Sequence, residues 1–468
     1  KPVKVLCYMD HYVGRDVEIM LPLVIYMQEF LNCEVEFVLI YDIFAIYRKK
    51  PDIVLTTNIT GSSFHYRIAK YAAEQNIKVF AVFSEGNFAT DKTFNYFGYN
   101  TDRVFFQEYV CCWSKRVRDY LRKNHPNDTE KIVLTGASGM DRYSIYDFQD
   151  KKAYLQKKGL EKFEKVVGYA AWGFGKIHNK FTRQQILNSY GGDESKLEEL
   201  EHQRVLVESV LRELIENNQD VLFILKKHPQ ETMPSSVFDE PNEINALKDY
   251  PNVLYIREDE DIHDILSVSD IWLGYKSNSA IESWAMDPDK PTIFINPEVP
   301  SKESIITKGC LIARDFSTAN DYLNEFYNTG KINAFFAPEL VQNRQFVIHE
   351  SVGYVDGLNH LRIMYYFKRT LKELQQKGSL INRKINFKYL VMWLMFVLGK
   401  PFYNKFIFSR LPKFKKTVWV FERSKMDNLY PLIDKYSRFI KKFYKDKNID
   451  KLITDDKYLE SLIEKTND

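Results

Sequence analysis

Two stretches in the middle of the chain combine residue types suited to holding an anion. Leu225-Lys226-Lys227-His228-Pro229 sets two lysines and a histidine at the end of an apolar run. A histidine there donates a hydrogen bond to a phosphate, the lysines add positive charge, and Pro229 stops the strand. Further on, Gly274-Tyr275-Lys276-Ser277-Asn278-Ser279-Ala280-Ile281-Glu282 reads as a strand end followed by small polar residues that open a helix. Free N–H groups at a helix start, with Ser277, Asn278 and Ser279 beside them, form an anion site. Glu282 in the first turn is placed to meet a ribose hydroxyl. The plainer alternatives are a solvated Lys-Lys turn and an ordinary capped helix, since Ser279 to Glu282 has the spacing of a capping box. Both stretches fall at strand ends of one α/β domain, and that coincidence favours a nucleotide phosphate.

Other strand ends carry further candidates. Trp172-Gly173-Phe174-Gly175 has glycines that let backbone approach a ligand and a ring that stacks on a base or sugar. It is not a G-x-G-x-x-G fingerprint, so a nicotinamide dinucleotide is not indicated. Near the front, Asp10-His11-Tyr12-Val13-Gly14-Arg15-Asp16, Thr57-Asn58-Ile59-Thr60-Gly61-Ser62 and Ser84-Glu85-Gly86-Asn87 each follow an apolar run. A carboxylate at such a point is suited to taking the proton of an attacking hydroxyl. Glu85 is the first candidate for that base, with Asp10, Asp16 and Asp91 as rivals. Arg15, Asn58 and Asn87 are candidates for holding an acceptor. Each of these also reads as an ordinary polar turn. No His or Cys spacing suits a metal ion, so neither metal nor cofactor is expected: a helix N-terminus and basic side chains supply the positive field.

The elements that must position these residues follow from periodicity. Apolar runs at 3–8, 35–40, 53–56, 78–83 and 131–135 alternate with helical stretches at 17–31 and 63–75. A charged helical stretch at 143–165 reads as a linker. A second series follows, with strands at 166–171, 221–226, 253–256, 271–274 and 292–296 and a long amphipathic helix at 194–218. Short strands alternating with helices imply parallel sheets with right-handed crossovers. The fold class is therefore α/β with two Rossmann-like domains, at 1–150 and 151–375, and an extension at 376–468.

A length of 468 residues suits that division, and 45% hydrophobic with 28% charged residues is a globular composition. Five cysteines, an odd number without C-x-x-C spacing, argue against a disulfide framework and for a reducing compartment. The opening Lys1-Pro2-Val3-Lys4-Val5-Leu6 reads directly into a strand, which suggests a cytoplasmic body.

The charge is uneven. Residues 383–447 hold 17 Lys and Arg against 4 Asp and Glu, a local net of +13 that leaves about −10 on the rest of a chain totalling +3. Aromatics are interleaved with these cations, and 389–399 is a continuous apolar run of eleven residues. That is too short to span a bilayer, which takes roughly 20. The mixture suits an anionic membrane surface at the inner face of the cell membrane. Nucleic acid is the weaker reading because no nucleic-acid motif is present, and a packing role over the second domain is the plain one.

The order Lys-x-His-Pro, then Ser269-Asp270-Ile271, then Ser277-Asn278-Ser279, then Lys290-Pro291-Thr292 resembles the carboxyl-terminal half of GT-B glycosyltransferases of bacterial surface-carbohydrate biosynthesis. It is most similar to transferases using CMP-activated acidic sugars, of sialic acid and Kdo types. The resemblance spans roughly residues 3–300 and implies two Rossmann-like domains facing a cleft, acceptor domain first and donor domain second. It implies a phosphate-binding role for His228, Ser277 and Ser279, with Pro229, Asn278, Glu282, Trp172, Gly173 and Lys226 around the donor. Arg15-Asp16 agrees with the same family. Ser84-Glu85-Gly86 resembles the acidic-acidic-Gly motif of bacterial sialyltransferases, with Ser84 in place of the first acid and Glu85 in the position aligned with the base. Thr135-Gly136-Ala137-Ser138-Gly139-Met140-Asp141 resembles the turn that ends the first domain of GT-B proteins, a structural feature. The implied activity is metal-independent transfer of a sugar from a nucleotide donor to a glycan or glycolipid acceptor. CDP-glycerol glycerophosphotransferases and UDP-N-acetylglucosamine 2-epimerases share the pattern more loosely, and a non-catalytic membrane-attached binding module is the remaining alternative.

Overall fold

The computed structural model describes residues 2–59, 61–88, 94, 104–179, 182–231, 241–257, 260–298, 304–377, 384–403 and 422–464. The chain forms two compact units, one of residues 1–146 with 349–468, the other of 147–348.

The first unit is built on a parallel sheet. Its strands are β1 (Val3–Met9), β2 (Cys33–Leu39), β3 (Ile53–Thr56), β4 (Lys78–Val82), β5 (Tyr109–Cys112) and β6 (Ile132–Leu134), in the order β2-β1-β3-β4-β5-β6. The second unit repeats the plan with β7 (Lys165–Ala170), β8 (Val221–Lys226), β9 (Val253–Ile256), β10 (Ile271–Gly274), β11 (Thr292–Ile295) and β12 (Leu311–Ala313), in the order β12-β11-β10-β7-β8-β9. That is the doubly wound order 3-2-1-4-5-6 counted from β7. The central strands are largely apolar because helices cover both faces of a parallel sheet; every residue of β8 is buried, whereas the edge strand β2 carries Glu34 and Glu36. Strand order reverses between β7 and β10 in the second unit and between β1 and β3 in the first, which are the points where such sheets bind ligands.

The two strands without a clear signature in the sequence are β5 and β12. β12 has three residues and β5 has four, two of them cysteines. Pairing with β4, β6 and β11 defines them.

The units divide the chain at 146/147 and 348/349, against the expected 150 and 375. The helix Lys151–Lys158, expected as part of a linker, belongs to the second unit, where Lys151 donates to Asp270 Oδ1 at 2.7 Å. The chain rejoins the first unit at His349. Gly353 (φ +82°) makes that return possible, since a Cβ there would sit 2.4 Å from the Trp113 carbonyl oxygen. The helix Asn359–Lys377 is then clamped at its start. Buried Asp141 accepts from the backbone N–H of Asn359 and His360 and meets His360 Nδ1 at 2.8 Å, and His360 Nε2 meets the Tyr444 hydroxyl at 2.6 Å. Burial pushes the Asp141 carboxyl up, and the His360 contacts oppose that rise. The Thr135–Asp141 turn is structural, as its glycines suggest.

The extension belongs to the first unit and not to the second, against the reading in which it packs over the second domain. Its helices Phe387–Tyr403, Tyr430–Asp446 and Asp456–Glu464 belong to the first unit. Tyr436, Ile440, Phe443 and Tyr444 of the middle helix are buried, and Tyr436 meets Tyr146 at 5.0 Å between ring centroids. No helix among the described residues is long and apolar enough to cross a membrane. All five cysteines are buried and free.

Candidate functional site

In the second unit, β7 lies between β8 and β10, so three neighbouring carboxyl ends present His228, the 171–175 loop and the 275–279 turn side by side. Gly173 is the hinge of this arrangement. It holds φ +90°, and a Cβ on it would lie 2.7 Å from Lys176 Cε and 2.9 Å from His228 Cγ. Only glycine tolerates both the conformation and the approach. On the other side Trp172 stands edge-on to Tyr275 at 5.7 Å, Phe174 meets Tyr275 at 4.9 Å, and the Lys176 ammonium lies 5.3 Å over the Trp172 ring. The Tyr275 hydroxyl is buried with no hydrogen-bond partner among the described residues.

Beneath the loop sits a buried carboxylate pair. Glu243 Oε1 accepts from the Trp172 N–H at 2.7 Å and from the Tyr169 hydroxyl at 3.1 Å. Glu231 accepts from the Gly175 N–H at 2.7 Å and from Asn242 Nδ2 at 3.0 Å. Burial, then repulsion from Glu231, pushes Glu243 up to about 7. Burial raises Glu231 as well, against its hydrogen bonds and the charges of Lys227 and Lys176. Burial lowers Lys176, and the two carboxylates resist the fall. The pair fixes the backbone of the Trp172–Gly175 loop from below and balances the cations around it.

The 275–279 turn differs from expectation. The helix Ser279–Met286 begins at Ser279, with Asn278 before it making no side-chain cap, so the capping box is not formed. The expected free N–H groups are engaged: Ser279 N donates to Ser277 Oγ, Ala280 N to the Ser277 carbonyl, and Ile281 N and Glu282 N to the Asn278 carbonyl. Ser279 is buried, its hydroxyl accepting from Trp272 Nε1 at 3.0 Å and donating to Ser277 Oγ at 2.9 Å. Ser279 therefore anchors the turn. Ser277, half-buried, accepts two hydrogen bonds and keeps its own proton for an outside acceptor. Asn278 is exposed, and Glu282 sits half-buried in the first turn.

Two other expected residues lie beside these. The buried Lys226 ammonium donates one hydrogen bond to the Glu260 carbonyl at 2.7 Å. Pro229 is exposed and opens a short 3-10 turn. The motif residues Asp270 and Lys290 lie at the opposite, amino ends of their strands. Asp270 accepts from Val166 N at 2.8 Å, and buried Lys290 donates to the Leu266 and Ser269 carbonyls. These two close the sheet's lower edge.

In the first unit, Asp10 follows β1 and His65 lies on the helix after β3, so both stand where strand order reverses. Asp10 Oδ1 meets His65 Nε2 at 2.9 Å; Asp10 is half-exposed and His65 buried. Partial burial raises the Asp10 carboxyl, but the His65 hydrogen bond and the nearby His65 and His11 charges outweigh it and hold the group below its usual range. Glu85 follows β4, one strand further out, and is half-buried. Gly86 beside it is required by packing, since a Cβ would lie 2.5 Å from the Trp113 ring. Asp16 is buried at the start of the helix Arg15–Phe30, which Arg15 opens. Asn58 Oδ1 accepts from the next N–H at 2.7 Å, and Asn87 Oδ1 accepts from Arg116 at 2.7 Å. Asp91 lies outside the described residues.

Sequence reasoning missed His65, Lys176, Glu231, Glu243 and the role of Tyr275. Lys176 alone carried a local signal, a cation directly after Gly173-Phe174-Gly175. The others reach the site through tertiary contacts.

Two Rossmann-like units in one chain is the plan of GT-B proteins. No protein-family model and no curated protein matches the chain. Among solved structures, a candidate UDP-N-acetylglucosamine 2-epimerase from Listeria monocytogenes superposes with a TM-score of 0.50 over 82% of this chain and 99% of its own, at 13% identity. MnaA from S. aureus, solved with UDP, gives 0.49 over 81% and 100%, at 14% identity. A glycosyltransferase from Rickettsia africae gives 0.44 over 81% and 100%, at 12% identity. At 13% identity the likeness to the Listeria protein shows the fold alone.

Proposed function

We propose that this chain is a nucleotide-sugar-dependent glycosyltransferase whose second unit binds the donor and whose first unit supplies the base. The observation that carries the proposal is the convergence of His228 and Lys176 on Gly173, with Trp172 beside it and Ser277 at the end of the neighbouring strand β10, at the switch point of the second sheet. His228 and Ser277 donate to the donor phosphate, Lys176 adds charge, Trp172, backed by buried Tyr275, stacks on the base or sugar, and Glu282 meets the ribose. Transfer then needs no metal: these donors stabilise the departing phosphate as charge develops on it. Asp10 takes precedence over Glu85 as the base, because it stands against buried His65 at the equivalent point of the first sheet. The acceptor is a glycan or glycolipid, with Asn58 beside that point as a contact, and the protein works at the cytoplasmic face of a membrane.

The donor follows from the Lys-x-His-Pro and Ser-x-Ser order, which favours a CMP-linked acidic sugar. A second reading, UDP-N-acetylglucosamine 2-epimerisation, is favoured by the likeness to the Listeria protein across 82% of the chain. A thermal-shift series with CMP, CDP, UDP and GDP tests the proposal. One nucleotide should raise the Tm of the wild type and leave His228→Ala unmoved; no shift with any of them overturns it. Incubation with UDP-N-acetylglucosamine and no acceptor separates the readings, since only an epimerase turns it over alone.

A further inference from the structure

The helix Phe387–Tyr403 has two apolar faces, and only one is covered. Tyr389, Trp393 and Phe396 turn inward, where Tyr389 meets Tyr71 at 5.0 Å, Trp393 meets Phe44 at 5.8 Å and Phe396 meets Tyr41 at 6.3 Å between ring centroids. The Lys384 backbone pins the start of the segment, exchanging hydrogen bonds with Gln75 and accepting one from Tyr71. The opposite face carries Phe387, Val391, Leu394, Met395 and Leu398, spaced as one stripe of an α-helix. These are exposed, 73% for Phe387, 70% for Met395 and 66% for Leu398. Seven of the thirteen exposed large hydrophobics among the described residues fall between 385 and 398, so the exposure is concentrated here and not scattered.

The charge around the stripe is cationic. Lys384 and Lys388 are exposed at its start. On the elements that the helix packs against, Lys50 and Lys70 are exposed and Arg48 lies 4.6 Å over the Trp393 ring. The acids nearby are Asp42, paired to Arg48, Glu36, paired to Lys49, Asp10, paired to His65 and acting on Tyr41, and exposed Glu74. The helix belongs to the 383–447 segment, with its 17 basic and 4 acidic residues. A 17-residue helix already docked along one side has neither the length nor the freedom to span a bilayer.

We propose that this helix is a monotopic membrane anchor: it lies in the headgroup layer of an anionic bilayer, with the 387–398 stripe among the acyl chains and the surrounding lysines on lipid phosphates. The covered face fixes the depth, because Tyr389, Trp393 and Phe396 hold the helix to the first unit. The anchor does not depend on the nucleotide reading, since lipid binding needs no catalysis.

Flotation of the full chain with phosphatidylcholine vesicles, with and without phosphatidylglycerol, tests this. The wild type should float with the anionic vesicles, less so at high salt. The triple variant Leu394→Glu, Met395→Glu, Leu398→Glu should bind about tenfold more weakly. Its circular dichroism and Tm should match the wild type, because all three positions are exposed, and any nucleotide-induced shift should persist. Failure of the wild type to float, or equal flotation by the variant, overturns the proposal. So does a wild-type dimer in sedimentation velocity that the variant breaks while vesicles stay unbound, which would give the stripe to a second copy of the chain.

Discussion

The two sheets reverse strand order at equivalent places and furnish those places with opposite chemistry. At the β7/β10 reversal stand His228, Lys176 and Ser277, with rings on one side and a buried carboxylate pair below. At the β1/β3 reversal stands a half-exposed carboxylate on a buried histidine. One end is equipped to hold an anion, the other to take a proton. A shared fold supplies two positions for ligands, and under the proposed transferase reading the side chains at the two positions take different parts.

That contrast can be broken residue by residue. Asp10→Asn should have the largest effect, lowering kcat by about 10²–10⁴-fold with nucleotide affinity unchanged. A drop in nucleotide affinity instead would move Asp10 into the donor site. His228→Ala should come next, with a loss of about 10²–10³-fold in turnover and loss of the nucleotide-induced Tm shift. Full activity in this variant would remove the second unit's site from the reaction.

The buried pair gives a pH signature. Glu243 has its folded pKa raised to about 7, so the native state holds more protons than the unfolded one between the ordinary glutamate value and there. Stability should therefore fall as pH rises through that window, by up to about 3 kcal/mol. Urea unfolding at several pH values should show the slope, and Glu243→Gln should flatten it. A slope of the opposite sign would mean that the pair is ionised in the native state. Ser277→Ala and Ser279→Ala sharpen the turn's division of labour: the first should weaken nucleotide binding severalfold, and the second should cost about 1 kcal/mol of stability. Glu85→Gln should change kcat least, by less than about tenfold; a loss matching that of Asp10→Asn would return the base to the Gly86 turn.

The alternation of apolar runs and helices determined the α/β class and ten of the twelve strands among the described residues, because two-sided burial in a parallel sheet writes itself as continuous apolar residues. His228, Ser277 and Trp172 were legible for the same reason: a strand end is visible locally, and ligands gather there. The apolar and basic character of the tail was equally plain. Tertiary structure decided the rest. It set β7 between β8 and β10 and so brought His228 to Gly173, turned Lys226 to a carbonyl, and satisfied the helix-start N–H groups that the motif left open. It paired Asp10 with His65 and set Glu243 under Trp172, contacts between residues far apart in the chain. It also gave the tail to the first unit, covering one face of a helix and leaving the other bare. A residue's type and local period fix what it is able to do; its partner, and hence its charge and its role, depends on which strands become neighbours.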